Sequence, residues 1–169
     1  PRGDYFDVAD RVIALDNFVP QDVTAQAQAI AHAHPTDRQP EGGASFGELT
    51  PRIPIPSSLD PSRGKREVKV RVRGVDAIAF GTDEIDLSAV EQLVNPGQLR
   101  AIAAALVDAK SSALDGHTPI PAILDAIMAQ IHTASLDSLT PKPLGDAVAF
   151  RRFELAAALN RLRSLRVQP

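Results

Sequence analysis

The residues of this chain best suited to chemistry are cations. Between Pro61 and Arg73 stand six bases, Arg63, Lys65, Arg66, Lys69, Arg71 and Arg73, against the single acid Glu67. Lys69, Arg71 and Arg73 alternate with Val68, Val70 and Val72. That period of two predicts a half-buried strand with three cations on one face. Such a row can track a phosphate backbone. It can equally be a solvated face paired with acids such as Asp83, Glu84 and Asp86, and one-sided charge is common on antiparallel sheets, so the paired face is the favoured reading. No aromatic is interleaved for base stacking, and Phe80 is the nearest.

Other groupings carry less. Gly43-Ala44-Ser45-Phe46-Gly47 matches the spacing of a serine-hydrolase nucleophile elbow, but that turn needs a strand before it and a helix after it, and proline-rich sequence flanks it here. His32 and His34 are two apart, which on a helix points them to different faces. His117 and His132 have no carboxylate at ligand spacing and read as exposed side chains, so no metal site and no catalytic residue is expected. Gly64-Lys65 lacks the phosphate-loop context: Leu59 stands where the loop needs glycine, and Arg66 where it needs Ser or Thr. Arg2-Gly3-Asp4 is short enough to arise by chance. Pro51-Arg52-Ile53-Pro54 fits a minimal SH3-type ligand but reads more simply as a stiffener.

The elements that must carry these residues follow from composition and period. The chain has 169 residues, 44% of them apolar and 23% charged, enough for a folded core. A net charge of −3 argues against a generic nucleic-acid sponge. Absence of cysteine excludes disulfides, thiolate metal sites and a cysteine nucleophile. No apolar run approaches the roughly 20 residues of a membrane helix, and no signal-peptide layout opens the chain, so a cytoplasmic protein without a membrane partner is expected. A start at Pro1 and a single methionine, Met128, suggest a piece of a longer protein.

Three segments are expected. In residues 1–34, Val12, Ile13 and Leu15 form a short apolar run over Arg11 to Asp16, read as a buried strand of a parallel sheet. Asn17 to Pro20 reads as a loop, and Asp22 or Thr24 as the cap of an alanine-rich helix ending near His34. Residues 35–66 hold six prolines and four glycines and read as a linker, spanning about 30 Å as a free coil or wrapping a surface. Residues 67–169 read as a small domain. It has the basic strand, strands at Ala77–Phe80 and Glu84–Leu87, and a short helix from Ser88 to Val94. A helix capped by Asn95-Pro96 follows, with Leu99, Ile102, Leu106, Ala109 and Ala113 on one face, then one with Ile120, Ile123, Ile127 and Ile131. The last runs from about Asp146 to Leu165, with Leu155, Leu159 and Leu162 as its stripe. The fold class is α/β, of the α+β kind: two or three strands and about four helices after the first segment.

Several stretches resemble the predicted ABC-class ATPase family. The block from Gly3 and Asp4 through Tyr5, Phe6, Asp10, Arg11, Val12 and Ile13 to Asn17 resembles the end of that family's ATPase core, with Asp10-Arg11-Val12-Ile13 similar to the strand after the switch region. Further similarity lies at Asp22-Val23-Thr24, Glu84 to Ser88, Val90 to Val94, Leu114 to Gly116, and from Arg151 to Arg163. Pro1-Arg2 departs from the glycine- and serine-rich pattern that precedes the block. The resemblance implies the C-terminal portion of a P-loop ATPase that uses ATP and Mg, with Walker A, Walker B and signature segments upstream. Gly3 and Asp4 are then the residues nearest a γ-phosphate. The remainder of the ATPase core is the implied partner, and the last segment an accessory domain for dimer contacts or substrate handling. The chain alone is expected to hold no cofactor and to turn over no ATP. The alternative is a non-enzymatic RNA- or DNA-binding module using residues 68–73, aided by Arg151, Arg152, Arg161 and Arg163. A weaker third reading is a protein-interaction domain acting through its apolar helices.

Overall fold

The computed structural model describes residues 5–35, 42, 45 and 47–168. Gly3, Asp4 and most of the Gly43–Gly47 motif lie outside the described residues. The chain is mixed α/β, and among the described residues it has a two-stranded and a three-stranded sheet and four α-helices. It divides into two compact units, Pro1–Leu49 and Thr50–Pro169.

In the first unit, β1 (Ile13–Asp16) pairs antiparallel with β2 (Val19–Asp22), opposing Ile13 to Asp22 and Asp16 to Val19. This corrects the expected parallel strand and the loop at Asn17 to Pro20. Asn17 (φ 48°) and Phe18 (φ 66°) both take the left-handed region, the geometry of a two-residue hairpin turn whose twist matches the strands it joins. Nor is β1 buried: Ile13, Leu15 and Val19 are exposed. Helix α1 (Thr24–Ala33) starts where Asp22 accepts from the amide (3.0 Å) and hydroxyl (2.6 Å) of Thr24. The Thr24 hydroxyl in turn accepts from Val12 N–H, tying helix to hairpin.

In the second unit, β3 (Val70–Arg73), β4 (Ala77–Phe80) and β5 (Asp83–Asp86) form an antiparallel sheet in that order. Its inner face carries Val70, Val72, Ile78, Phe80 and Ile85 against α2 (Pro96–Ser112) and α4 (Arg152–Arg161), and α3 (Ile120–Ala134) packs on both helices. Leu99, Ile102, Leu106 and Ala109 of α2, Ile120, Ile123 and Ile127 of α3, and Leu155 and Leu159 of α4 are buried, as the helical spacing predicts. Asn95 caps α2 by accepting from Gly97 N–H (2.8 Å), while Gln98 accepts from Asn95 N–H (3.1 Å), a reciprocal capping box.

Two helical expectations are corrected. Residues 88–94 form turns, because Asp86 takes both the amide and hydroxyl of Ser88 and holds the chain in a tight side-chain turn. Helix α4 begins at Arg152 instead of near Asp146. Asp146 is engaged by Arg100 (2.8 Å), and Val148 N–H donates to Gly97 O (3.1 Å), so this stretch lies extended along the start of α2.

Much of the proline-rich stretch is structural. Ile55 N–H donates to Arg166 O (2.8 Å), Gln168 N–H to Ile53 O (2.8 Å) and Ile120 N–H to Arg52 O (2.9 Å). Leu59 is fully buried in the core. Residues 50–59 therefore wrap the C-terminal segment and the start of α3, with prolines at positions that need no N–H donor. Among the described residues no helix is long and apolar enough to cross a membrane.

Candidate nucleic-acid interface

The outer face of the three-stranded sheet has a simple composition set by register. Arg71 opposes Ala79 and Arg73 opposes Ala77 across β3 and β4; Ala79 opposes Glu84 and Ala77 opposes Asp86 across β4 and β5. Arginines on one side and acids on the other thus flank a row of methyl groups. The small central residues leave a trough between the charged rows.

A hairpin adds cations at one end. Arg63 and Arg66 exchange backbone hydrogen bonds (3.0 and 3.2 Å) around Gly64 and Lys65, and Gly64, at φ 61°, takes the left-handed conformation that costs glycine nothing. The approach to this hairpin is pinned twice. Asp60 accepts from Ser62 N–H (3.0 Å), the Ser62 hydroxyl (2.9 Å) and Lys110 Nζ (3.2 Å). The Ser62 amide is the largest of several bonds holding the Asp60 carboxyl below its usual range. The backbone of residues 60–62 also lies directly on Gly81, whose φ is 60° and which has no space for a Cβ.

The result is a cavity of about 190 Å³ lined by Arg63, Arg66, Lys69, Arg71, Arg73, Ala79 and Gly81. Lys65 sits at the hairpin tip and does not line it. All six bases are exposed. Arg73 forms an ion pair with Glu84 (3.0 Å), and among the described residues the other five have no ion-pair partner. Five cationic residues and no acidic residue line this cavity, so the local field favours an anion. It contains no nucleophile and no general base, and it has no aromatic surface, because Phe80 is fully buried on the opposite face. Such a site can hold phosphates but cannot stack bases, which makes its contacts insensitive to sequence.

The bases in and flanking the last helix are placed differently. Arg151 is bound to the buried carboxylate of Glu154 (2.7 Å), which raises its pKa, and Arg152 is paired with Asp125. Arg161 and Arg163 face Asp83, Glu84 and Asp86 across a cleft of about 670 Å³. Hydrogen bonds from the Ser88 hydroxyl and then its amide lower the pKa of Asp86, with smaller help from those arginines. The two basic groups therefore do not converge: one is balanced by acids, and the other, around β3, is largely unbalanced.

Among the described residues no phosphate loop is formed. Gly64-Lys65 is a hairpin turn, and among the described residues no group of three or more His, Asp or Glu could hold a metal ion. His32, His34, His117 and His132 are all exposed. Sequence reasoning found the bases but not Ala77, Ala79 and Gly81, which shape the trough; the alternation of alanine with Ile78 and Phe80 was the available signal.

Comparison with known families divides the chain in a similar place. Residues 69–168 match the family model of the MRB1590 C-terminal domain. Residues 1–52 match the P-loop domain of the ABC_ATPase model. No curated protein matches the chain.

Proposed function

Since the chain belongs to the MRB1590 C-terminal domain family, we propose that it is the C-terminal part of an ABC-class ATPase and that its second unit holds a nucleic-acid backbone. The match of residues 1–52 to an ATPase P-loop domain supports the first half of this reading. Nucleotide chemistry, with ATP and Mg, then belongs to other parts of that ATPase, and dimer contacts would form in the assembled protein. The chain by itself binds and does not hydrolyse.

The observation that carries the second half is the cavity walled by Arg63, Arg66, Lys69, Arg71 and Arg73, where among the described residues only Arg73 has an acid partner. A cation without a nearby acid keeps its charge available for phosphate, and each phosphate neutralised releases condensed counterions. The lack of an aromatic wall favours backbone tracking over base reading.

Fluorescence anisotropy with a labelled single-stranded RNA and its DNA equivalent tests this. Five phosphate contacts give a slope of log affinity against log salt of about −3.5 for a single strand. Affinities should differ little between oligonucleotide sequences. A slope near zero, or binding that survives reversal of Lys69 and Arg71 to Glu, removes this function from the β3 face. ATP turnover by the isolated chain would contradict the division of labour.

A further inference from the structure

Strand β3 stands at the edge of its sheet. Gly81 N–H donates to Lys69 O (2.9 Å), and this fixes the phase of the ladder. Lys69 N–H donates instead to Pro61 O (2.8 Å), and because antiparallel pairs alternate between bonded and non-bonded, Arg71 and Arg73 turn their backbone groups toward β4. Val70 and Val72 therefore aim N–H and C=O away from the sheet, and among the described residues no strand lies beyond them.

The side chains beside that edge are also sorted. Val68, Val70 and Val72 line a mostly apolar groove of about 400 Å³ with Ala103 and Val107 of α2 and with Leu144, and Arg100 and Thr140 supply its polar wall. Val68 is 53% exposed, so the groove opens to solvent at its end. Lys69, Arg71 and Arg73 stand on the other face of the same strand. An added strand would thus meet free backbone partners, an apolar floor for every second side chain, and a cationic row beside the side chains between.

We propose that the free edge of β3 accepts, as a fourth strand, an extended peptide segment that alternates apolar and acidic residues. Backbone hydrogen bonds to Val70 and Val72 supply the pairing, and the groove and the cations supply the choice of partner. The small side chain of Ala103 leaves room over α2 for the inward apolar residues. Charge complementarity sets the acidic character of the outward ones. The same charges oppose a second copy at this edge, because pairing β3 with itself brings arginine and lysine rows together. This inference does not depend on the nucleic-acid reading, which uses neither the free backbone groups nor the apolar groove.

Amide hydrogen exchange on the whole chain tests it, with a synthetic decapeptide alternating Val and Glu as the probe. At ten times its dissociation constant the peptide should slow exchange at Val70 and Val72 about tenfold. Arg71 and Arg73, already facing β4, should not change. A Val–Lys decapeptide, and the Val–Glu peptide N-methylated at alternate residues, should protect neither valine. Leu144→Gln should weaken the peptide severalfold while leaving RNA affinity unchanged, so the two readings fail separately. Unchanged exchange at Val70 and Val72 with millimolar peptide overturns the proposal. So does equal protection by the N-methylated peptide, which would mean attraction by charge alone. Protection that grows with protein concentration instead assigns the edge to a second copy, and protection by RNA assigns it to nucleic acid; either result overturns it too.

Discussion

Arg73 reaches from β3 across the alanine row of β4 and places its guanidinium 3.0 Å from the Glu84 carboxylate on β5. Both side chains are more than half exposed, so the pair adds little to stability. Its consequence is for binding, because it occupies one of the five cations around the cavity. Glu84→Gln should leave the melting temperature nearly unchanged and tighten oligonucleotide binding severalfold at low salt. The gain should shrink as salt screens the freed charge, and anisotropy titrations at two salt concentrations read both effects.

Gly81 couples the cavity to the rest of the domain. It is buried, takes φ 60°, and lies against the carbonyls of Asp60 and Ser62. Gly81→Ala forces an unfavourable backbone conformation and pushes the Asp60–Ser62 segment away, at a cost of about 2 kcal/mol or more. Because that segment leads into the Arg63–Arg66 hairpin, RNA affinity should fall together with denaturation midpoint. Gly64→Ala is the comparison: it shares the positive φ but meets no neighbour, so its stability loss should be smaller.

Acid stability should follow the turn carboxylates. Asp115 accepts from the amides of His117 and Thr118 and from the Thr118 hydroxyl, and the His117 bond is the largest cause of a pKa lowered to about 2. A carboxyl whose folded pKa lies below its unfolded value of 3.8 stabilises the fold fully above that value. The contribution disappears as pH falls toward 2. Asp22, Asp60 and Asp86 are shifted in the same direction by their Thr or Ser partners. Thermal melts should therefore drop steeply between about pH 4 and pH 2. Asp115→Asn should lower the melting temperature near neutrality, with the difference from the parent chain vanishing at the acid end.

The parts of this fold legible in sequence are those with a strong period. The apolar stripes of α2, α3 and α4 and the alternation in β3 match the buried faces, because burial imposes the same period that the sequence carries. The first hairpin is different. Val12, Ile13 and Leu15 look like a buried strand locally, yet the positive φ of Asn17 and Phe18 turns the chain back on itself, and phenylalanine there gives no warning. Pro20 in β2 also hid a strand, since a two-stranded ribbon has an outer edge where no donor is needed. Asp146 looked like a helix start because nothing local announces that Arg100, 46 positions earlier (146 − 100), engages it. In the candidate site the bases were visible, whereas Ala77, Ala79 and Gly81 gain meaning only once register puts them between charged rows.

The central claim is that the cations around β3, and not those of α4, contact phosphate. The most direct measurement is the salt slope of single-stranded RNA binding for Arg71→Gln and Arg152→Gln beside the parent chain. Arg71 lines the cavity, and among the described residues it has no ion-pair partner, whereas Arg152 is paired with Asp125. The account predicts a slope shallower by about 0.7 for Arg71→Gln, with affinity reduced alike across oligonucleotide sequences, and no change for Arg152→Gln. An unchanged slope for Arg71→Gln, or an equal loss for Arg152→Gln, would contradict it.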